Sequence, residues 1–305
     1  MSAPRQRCSP ALQRWRDAGT RFRFGAHSIF VREAGPERAP VLLLLHGFPT
    51  ASWDWHRMWD ALAADFRLVA PDLIGYGYSS KPRAHDYSVF EQAAMVEALL
   101  ADRGVAEAHV LAHDYGDTVA QELLARYEGR LAGGEPGLWL RSVIWLNGGL
   151  FPELHRPRLV QRMLAGPLGA LVSLLMSRGR FGASFSSVFA PASRPSAEEL
   201  DDFWALLAHE RGHRIGHRLI GYIAERVRHR ERWVGATQTS RVPRRFIDGL
   251  LDPVSGAHMV ARYRELVVVA DVVELAGVGH YPQIEAPDRV LQACREFWRR
   301  IAALR

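Results

Sequence analysis

A chain of 305 residues that is 48% hydrophobic and 24% charged can bury a large apolar core without disulfides or metals, as one large α/β domain or two ordinary ones. Its net charge of +6 raises the question of a nucleic-acid partner, but Lys81 is its single lysine, and the Arg and His crowded between Arg211 and Arg232 carry no stacking motif or zinc spacing. No nucleic-acid partner is expected, and the basic stretch reads as a solvated helix face.

Cys8 and Cys294 match no metal or redox spacing, which favours a reducing compartment. The opening residues are basic and lack an apolar signal core, so a cytoplasmic protein is expected. The longest apolar stretch, residues 164–176, is too short to span a bilayer and is broken by Pro167, so a buried or interfacial helix is expected there and no stable membrane span. The composition leaves room for a homodimer.

In chain order, two short β-like runs come first, at 21–24 and 29–32. Residues 41–45 form a continuous apolar run, as in a strand covered on both faces, and run into His46-Gly47-Phe48-Pro49. Residues 67–70 give the next strand, and helical spacing follows over 89–100. A strand over 109–112 leads straight into a helix starting near Asp117, and residues 143–146 supply a sixth strand. From 150 to 236 only helical periodicity is visible. Strands are expected again at 244–247 and 267–275, with a final amphipathic helix over 289–304. Strand and helix alternating on both sides of an all-helical block predict an α/β fold. Residues 1–149 and 237–305 form its core, a mostly parallel central sheet, and a helical cap of residues 150–236 is inserted after the sixth strand.

The chemistry centres on Leu111-Ala112-His113-Asp114-Tyr115-Gly116-Asp117. A strand, a residue flanked two positions away by Ala112 and Gly116, then a helix, make the nucleophile-elbow pattern, in which a sharp turn lifts one side chain to the carboxyl edge of a sheet. An Asp after a strand also serves as a helix N-cap, and Asp117 competes for that role. His280, in Gly277-Val278-Gly279-His280-Tyr281-Pro282, is the candidate base. The acid behind it should follow the preceding strand, where Asp248 and Asp252 both stand. Asp252 is preferred because Asp248 still belongs to the strand. Asn147 occupies the alternative acid position and cannot act as a carboxylate. The order nucleophile, acid, histidine is the one expected of a fold that carries this elbow. Backbone N–H groups of Phe48 and Tyr115 are the candidate oxyanion donors, with a cis bond conceivable before Pro49.

A carboxylate nucleophile suits displacement at saturated carbon, opening an epoxide or expelling halide to leave an alkyl-enzyme ester that His280 and water then hydrolyse. No metal and no organic cofactor is called for.

The elbow His113-Asp114-Tyr115-Gly116, the loop His46-Gly47-Phe48-Pro49 and the run Asp72-Leu73-Ile74-Gly75-Tyr76-Gly77-Tyr78-Ser79 together resemble the epoxide hydrolase and haloalkane dehalogenase group of the α/β-hydrolase superfamily. That resemblance implies an α/β-hydrolase fold and a small apolar epoxide or halide substrate. Relatives that remove halide typically carry Trp after the nucleophile and Asn after His-Gly, where this chain has Tyr115 and Phe48. Trp204 and Trp233 are the cap tryptophans that would have to compensate. Relatives that open epoxides use cap phenols, and between 150 and 236 the chain offers Tyr222 alone, with His155 as the second donor. Tyr222, His155 and Trp204 are therefore the expected substrate contacts. The leading expectation is epoxide hydrolysis, ahead of dehalogenation and of an idle α/β-hydrolase scaffold that binds a partner or a membrane.

Overall fold

The computed structural model describes residues 8–303. Eight strands form one sheet: β1 (Thr20–Phe24), β2 (His27–Ala34), β3 (Val41–Leu45), β4 (Arg67–Pro71), β5 (Glu107–His113), β6 (Trp139–Leu146), β7 (Arg244–Gly249) and β8 (Val272–Leu275). Their spatial order is β1-β2-β4-β3-β5-β6-β7-β8. β1 and β2 run antiparallel to their neighbours, and every pair from β4 to β8 is parallel. The apolar run of β3 explains its central place. Leu43 and Leu45 enter the core on one face, Leu42 and Leu44 the core on the other, and all four are fully buried. The amphipathic helix Pro287–Ala303 closes the second face with Val290, Cys294, Phe297, Trp298 and Ile301. Residue 304, included in the expected last helix, lies outside the described residues.

Between β6 and β7 the chain forms helices only. The apolar stretch 164–176 is not one helix. Gly166 and Pro167 divide it, leaving the short helices Leu159–Ala165 and Gly169–Leu174. Among the described residues no helix is long and apolar enough to cross a membrane.

The expected strand 267–275 is largely wrong. Val267 ends the helix Ala257–Leu266, Val268 and Val269 stand 95% and 85% exposed, and pairing begins only at Val272. Three valines in a row have the propensity of a strand, but only Val272–Leu275 has a neighbour to pair with, in β7.

The turn out of β5 sets the position of everything that follows. Asp114 has φ 47° and ψ −104°, a conformation that side chains rarely adopt. The helix Tyr115–Gly133 starts immediately and runs so close to the end of β3 that a Cβ on Gly116 would lie 2.3 Å from the carbonyl oxygen of Leu45. The obstacle is backbone and cannot rotate away. Gly116→Ala is expected to lower stability by about 2–3 kcal/mol, as for overpacking at a rigid site, read as a lower denaturant midpoint with an unchanged slope.

Candidate active site

Asp114 is buried, and its Oδ2 accepts a hydrogen bond from the N–H of Phe48 at 3.1 Å. The Phe48 donor is held by its loop. His46 accepts the N–H of Leu73 on Nε2 (3.0 Å) and turns Nδ1 to the carbonyl of Gly47 (2.9 Å), and the Phe48-Pro49 bond is cis. Asp117 does not cap the helix as expected. Its two carboxylate oxygens lack hydrogen-bond partners, and burial, with Asp114 nearby, raises its pKa well above the usual carboxylate range. Asp114 sits at the cap position but makes no cap hydrogen bond, because the turn points its carboxylate toward Phe48 and His280.

The imidazole of His280 stands with Nε2 3.9 Å from Asp114 Oδ2 and Nδ1 2.7 Å from Asp252 Oδ2. Of the two acids in this loop the structure brings Asp252 to the histidine. Asp248 is buried with both oxygens unpartnered, and that burial raises its pKa well above the usual carboxylate range. Asp252 also accepts from Asn147 Nδ2 (3.0 Å), Ser255 Oγ (2.8 Å) and the N–H of Val254 (2.7 Å). Asn147 thus serves the acid instead of replacing it. His113 holds the histidine loop, its Nε2 lying 2.8 Å from the carbonyl oxygen of His280.

The charges are coupled. Burial alone would lower His280, but the two carboxylates, Asp252 first, outweigh it and push the imidazole up to about 9. Burial alone would raise Asp114, but the positive charges of His280 and Arg226 hold its carboxyl below the ordinary range.

Arg226 was not singled out from the sequence. It is buried, donates from Nε to Thr118 Oγ1 (2.6 Å) and from Nη2 to the carbonyl oxygen of Asp114 (2.9 Å), and stands 3.6 Å from Asp114 Oδ1. Its Nη1 has no hydrogen-bond partner. The guanidinium lies over the ring of Tyr222, 4.6 Å from its centroid. Both ring nitrogens of His155 and the hydroxyl of Tyr222 are likewise buried and unpartnered. Burial, then Arg226, lowers His155 to about 4, which leaves it a neutral donor and acceptor. Arg226 Nη1 and His155 Nδ1 converge over Gly149, where a Cβ would lie 2.4 and 3.0 Å from them. A bare glycine at that point was the one sequence signal for this arrangement.

A cavity of about 90 Å³ opens beneath the helices of the insertion, walled by Leu164, Phe181, Leu219 and Tyr281 and reaching Phe48 and His280. Phe48 and His280 flank the Asp114 carboxylate, while Asp114, Tyr222, His155 and Arg226 are not themselves among the residues lining the cavity. Trp204 is not on its wall. The indole packs behind two wall residues, 5.9 Å from Phe181 and 5.4 Å from His213 between ring centroids, and the structure gives it no contact with the cavity. Trp233 donates to Glu122 at 2.8 Å and is likewise structural.

An eight-stranded, mostly parallel sheet with a strained turn after β5 defines the α/β-hydrolase class, and the chain belongs to that family. A profile of the alpha/beta hydrolase fold matches residues 40–134. The chain is 41% identical to the mesoderm-specific transcript homolog protein of Bos taurus, over 96% of this chain and 90% of that protein. It is 38% identical over 137 residues to epoxide hydrolase B of Mycobacterium tuberculosis, 43% of this chain and 38% of that one. The crystal structure of haloalkane dehalogenase DbeA from Bradyrhizobium elkani superposes with a TM-score of 0.77 at 22% identity, covering 94% of this chain and 99% of that chain, a likeness of fold.

The two acids predict opposite outcomes. Asp252→Asn removes the carboxylate that does most to raise His280, so the imidazole should lose its proton nearer pH 6.5 than 9, and turnover should fall at least about 100-fold. Asp248→Asn, replacing a group that makes no hydrogen bond to the histidine, should leave both within about threefold. Imidazole proton resonances followed over pH, with turnover on the same samples, check both.

Proposed function

We propose that the protein hydrolyses epoxides to vicinal diols through a covalent ester on Asp114, with residues 150–236 serving as the cap over the site. One observation carries the reading: Asp114 Oδ2 lies at once within hydrogen-bond distance of the Phe48 N–H and 3.9 Å in front of His280 Nε2, which Asp252 supports. A carboxylate with a merely structural role would have no reason to sit on a strained turn before an imidazole. The companion reading of the likeness to epoxide hydrolase B, 38% identical over its matched stretch, points the same way.

In the first step an Asp114 oxygen attacks a ring carbon of the epoxide, the carbon–oxygen bond breaks, and the oxygen leaves as an alkoxide that takes the phenolic proton of Tyr222. Asp114 gives up its charge in forming the ester, so Arg226 loses its countercharge while still buried. The Tyr222 phenolate so formed, lying under the Arg226 guanidinium, restores that balance. The step moves negative charge from one side of a fixed guanidinium to another and does not strand it.

In the second step the proton of His280 passes through water to the Tyr222 phenolate, and the neutral imidazole then takes a proton from a water that adds to the ester carbonyl. The oxyanion rests on the N–H groups of Phe48 and Tyr115, and collapse of the adduct releases the diol and regenerates Asp114. Ester formation has removed one of the two negative charges that hold the proton on His280, so the imidazole becomes a base when a base is required.

Haloalkane dehalogenation is the second reading, since the unpartnered Arg226 Nη1 would receive a halide as well as an alkoxide. Tyr115 and Phe48, in place of the tryptophan and asparagine of halide-removing relatives, rank it below.

Asp114→Ala should abolish turnover, and His280→Gln should accumulate the ester, seen by mass spectrometry as protein plus one intact epoxide. Halide release from haloalkanes without diol from epoxides would select the second reading. The absence of any adduct with either class would sink both and leave a non-catalytic scaffold. Arg226→Met should slow ester formation by about 10²-fold or more while leaving hydrolysis of ester already formed within about threefold, measured as separate single-turnover phases.

A further inference from the structure

The short helices of the insertion are turned inside out for a protein surface. In Gly169–Leu174 the buried positions are Gly169 and Ser173, and Ser173 Oγ accepts the N–H of His217 at 2.9 Å. The leucines of this segment face outward: Leu168 is 67% exposed, Leu171 49%, Leu174 52% and Leu175 52%. On the preceding helix Leu159 and Met163 are exposed as well. A surface helix normally buries its apolar stripe and shows its polar one. Half of the exposed large hydrophobic side chains among the described residues fall in this one segment, and a cluster of that kind marks an interaction surface.

The charges around it identify the partner. Residues 154–197 contain no Asp or Glu, yet they include Arg156, Arg158, Arg162, Arg178, Arg180 and Arg194. Among the described residues Arg178 alone of these forms an ion pair, with Asp201 at 2.7 Å, and Arg156 and Arg162 are exposed. The neighbouring segment His209–Ile215 adds Arg211 and Arg214. Two copies of this face brought together about a twofold axis would set arginine against arginine. An anionic bilayer surface meets both requirements, since acyl chains accept the leucines and headgroups neutralise the arginines.

We propose that this face of the insertion docks the protein on an anionic lipid surface. The same segment forms the roof of the cavity: Arg158, Gln161, Leu164 and Met176 line it from beneath while Leu159, Met163 and Leu168 point away. Docking therefore brings the roof of the cavity to the boundary between headgroups and acyl chains, where apolar compounds concentrate. The inference stands on the surface alone and does not depend on the identity of the reaction.

The test uses the full-length protein and sedimentation with two vesicle preparations, pure phosphatidylcholine and phosphatidylcholine carrying about 30% phosphatidylglycerol. Wild type should bind the anionic vesicles at least about tenfold more strongly than the neutral ones, and raising salt several-fold should weaken that binding. The combined variant Leu168→Ser, Leu171→Ser, Leu174→Ser and Leu175→Ser should lose at least about tenfold in binding while its thermal midpoint stays within a few degrees, because the replaced side chains are exposed. Wild type that ignores both vesicles, binds them equally, or is matched by the variant would overturn the proposal. So would a variant that changes only the oligomeric state in sedimentation velocity, which would make the face a contact between copies of this chain.

Discussion

The whole site depends on the close approach of three backbones around Asp114. β3 ends in the loop that presents the Phe48 N–H, β5 ends in a residue with positive φ, and the helix Tyr115–Gly133 begins against the Leu45 carbonyl. Each contact demands the others. Gly47 is pressed on the same side, since a Cβ there would lie 2.6 Å from His113 Nδ1 and 3.1 Å from the Asp114 Cβ. The packed cores on both faces of the sheet hold the strain in place.

Upon that turn rests a balance of charge. A carboxylate this deeply buried remains ionised only because His280 and Arg226 flank it, and His280 keeps its proton only because Asp114 and Asp252 flank it. Arg226 ties the insertion to the sheet at the same point, its guanidinium bonded to the backbone of Asp114 from 112 positions along the chain. The insertion is therefore tied electrically to Asp114.

Much of this was legible beforehand, for physical reasons. Strands covered on both faces must be continuously apolar, which exposed β3, β5 and β6 in the sequence; the elbow needs small flankers at fixed positions, which exposed Asp114. Asp252 was separable from Asp248 by counting past the end of β7. What could not be read depended on distant contacts. Arg226 lay within a basic stretch that reads as a solvated face, and only folding turns that one side chain inward. Asn147 looked like a missing acid and proves to orient the acid supplied from elsewhere. Trp204 has the chemistry of a substrate contact but faces the wrong side of Phe181 and His213. The valines at 267–269 have the propensity of a strand and no neighbour to pair with.

Asp117 and Asp248 add a consequence for tolerance of acid. Burial holds both carboxyls well above the usual range in the folded chain, so their contribution to folding is greatest below about pH 4 and is lost as the pH rises through the raised values. Asp114 and Asp252 behave in the opposite sense, with folded carboxyls held low and a contribution lost as the pH falls. The two pairs oppose each other beneath the same turn. Souring the medium thus strips charge from Asp114 and Asp252 while it relieves Asp117 and Asp248, so acid acts on the two pairs in opposite directions.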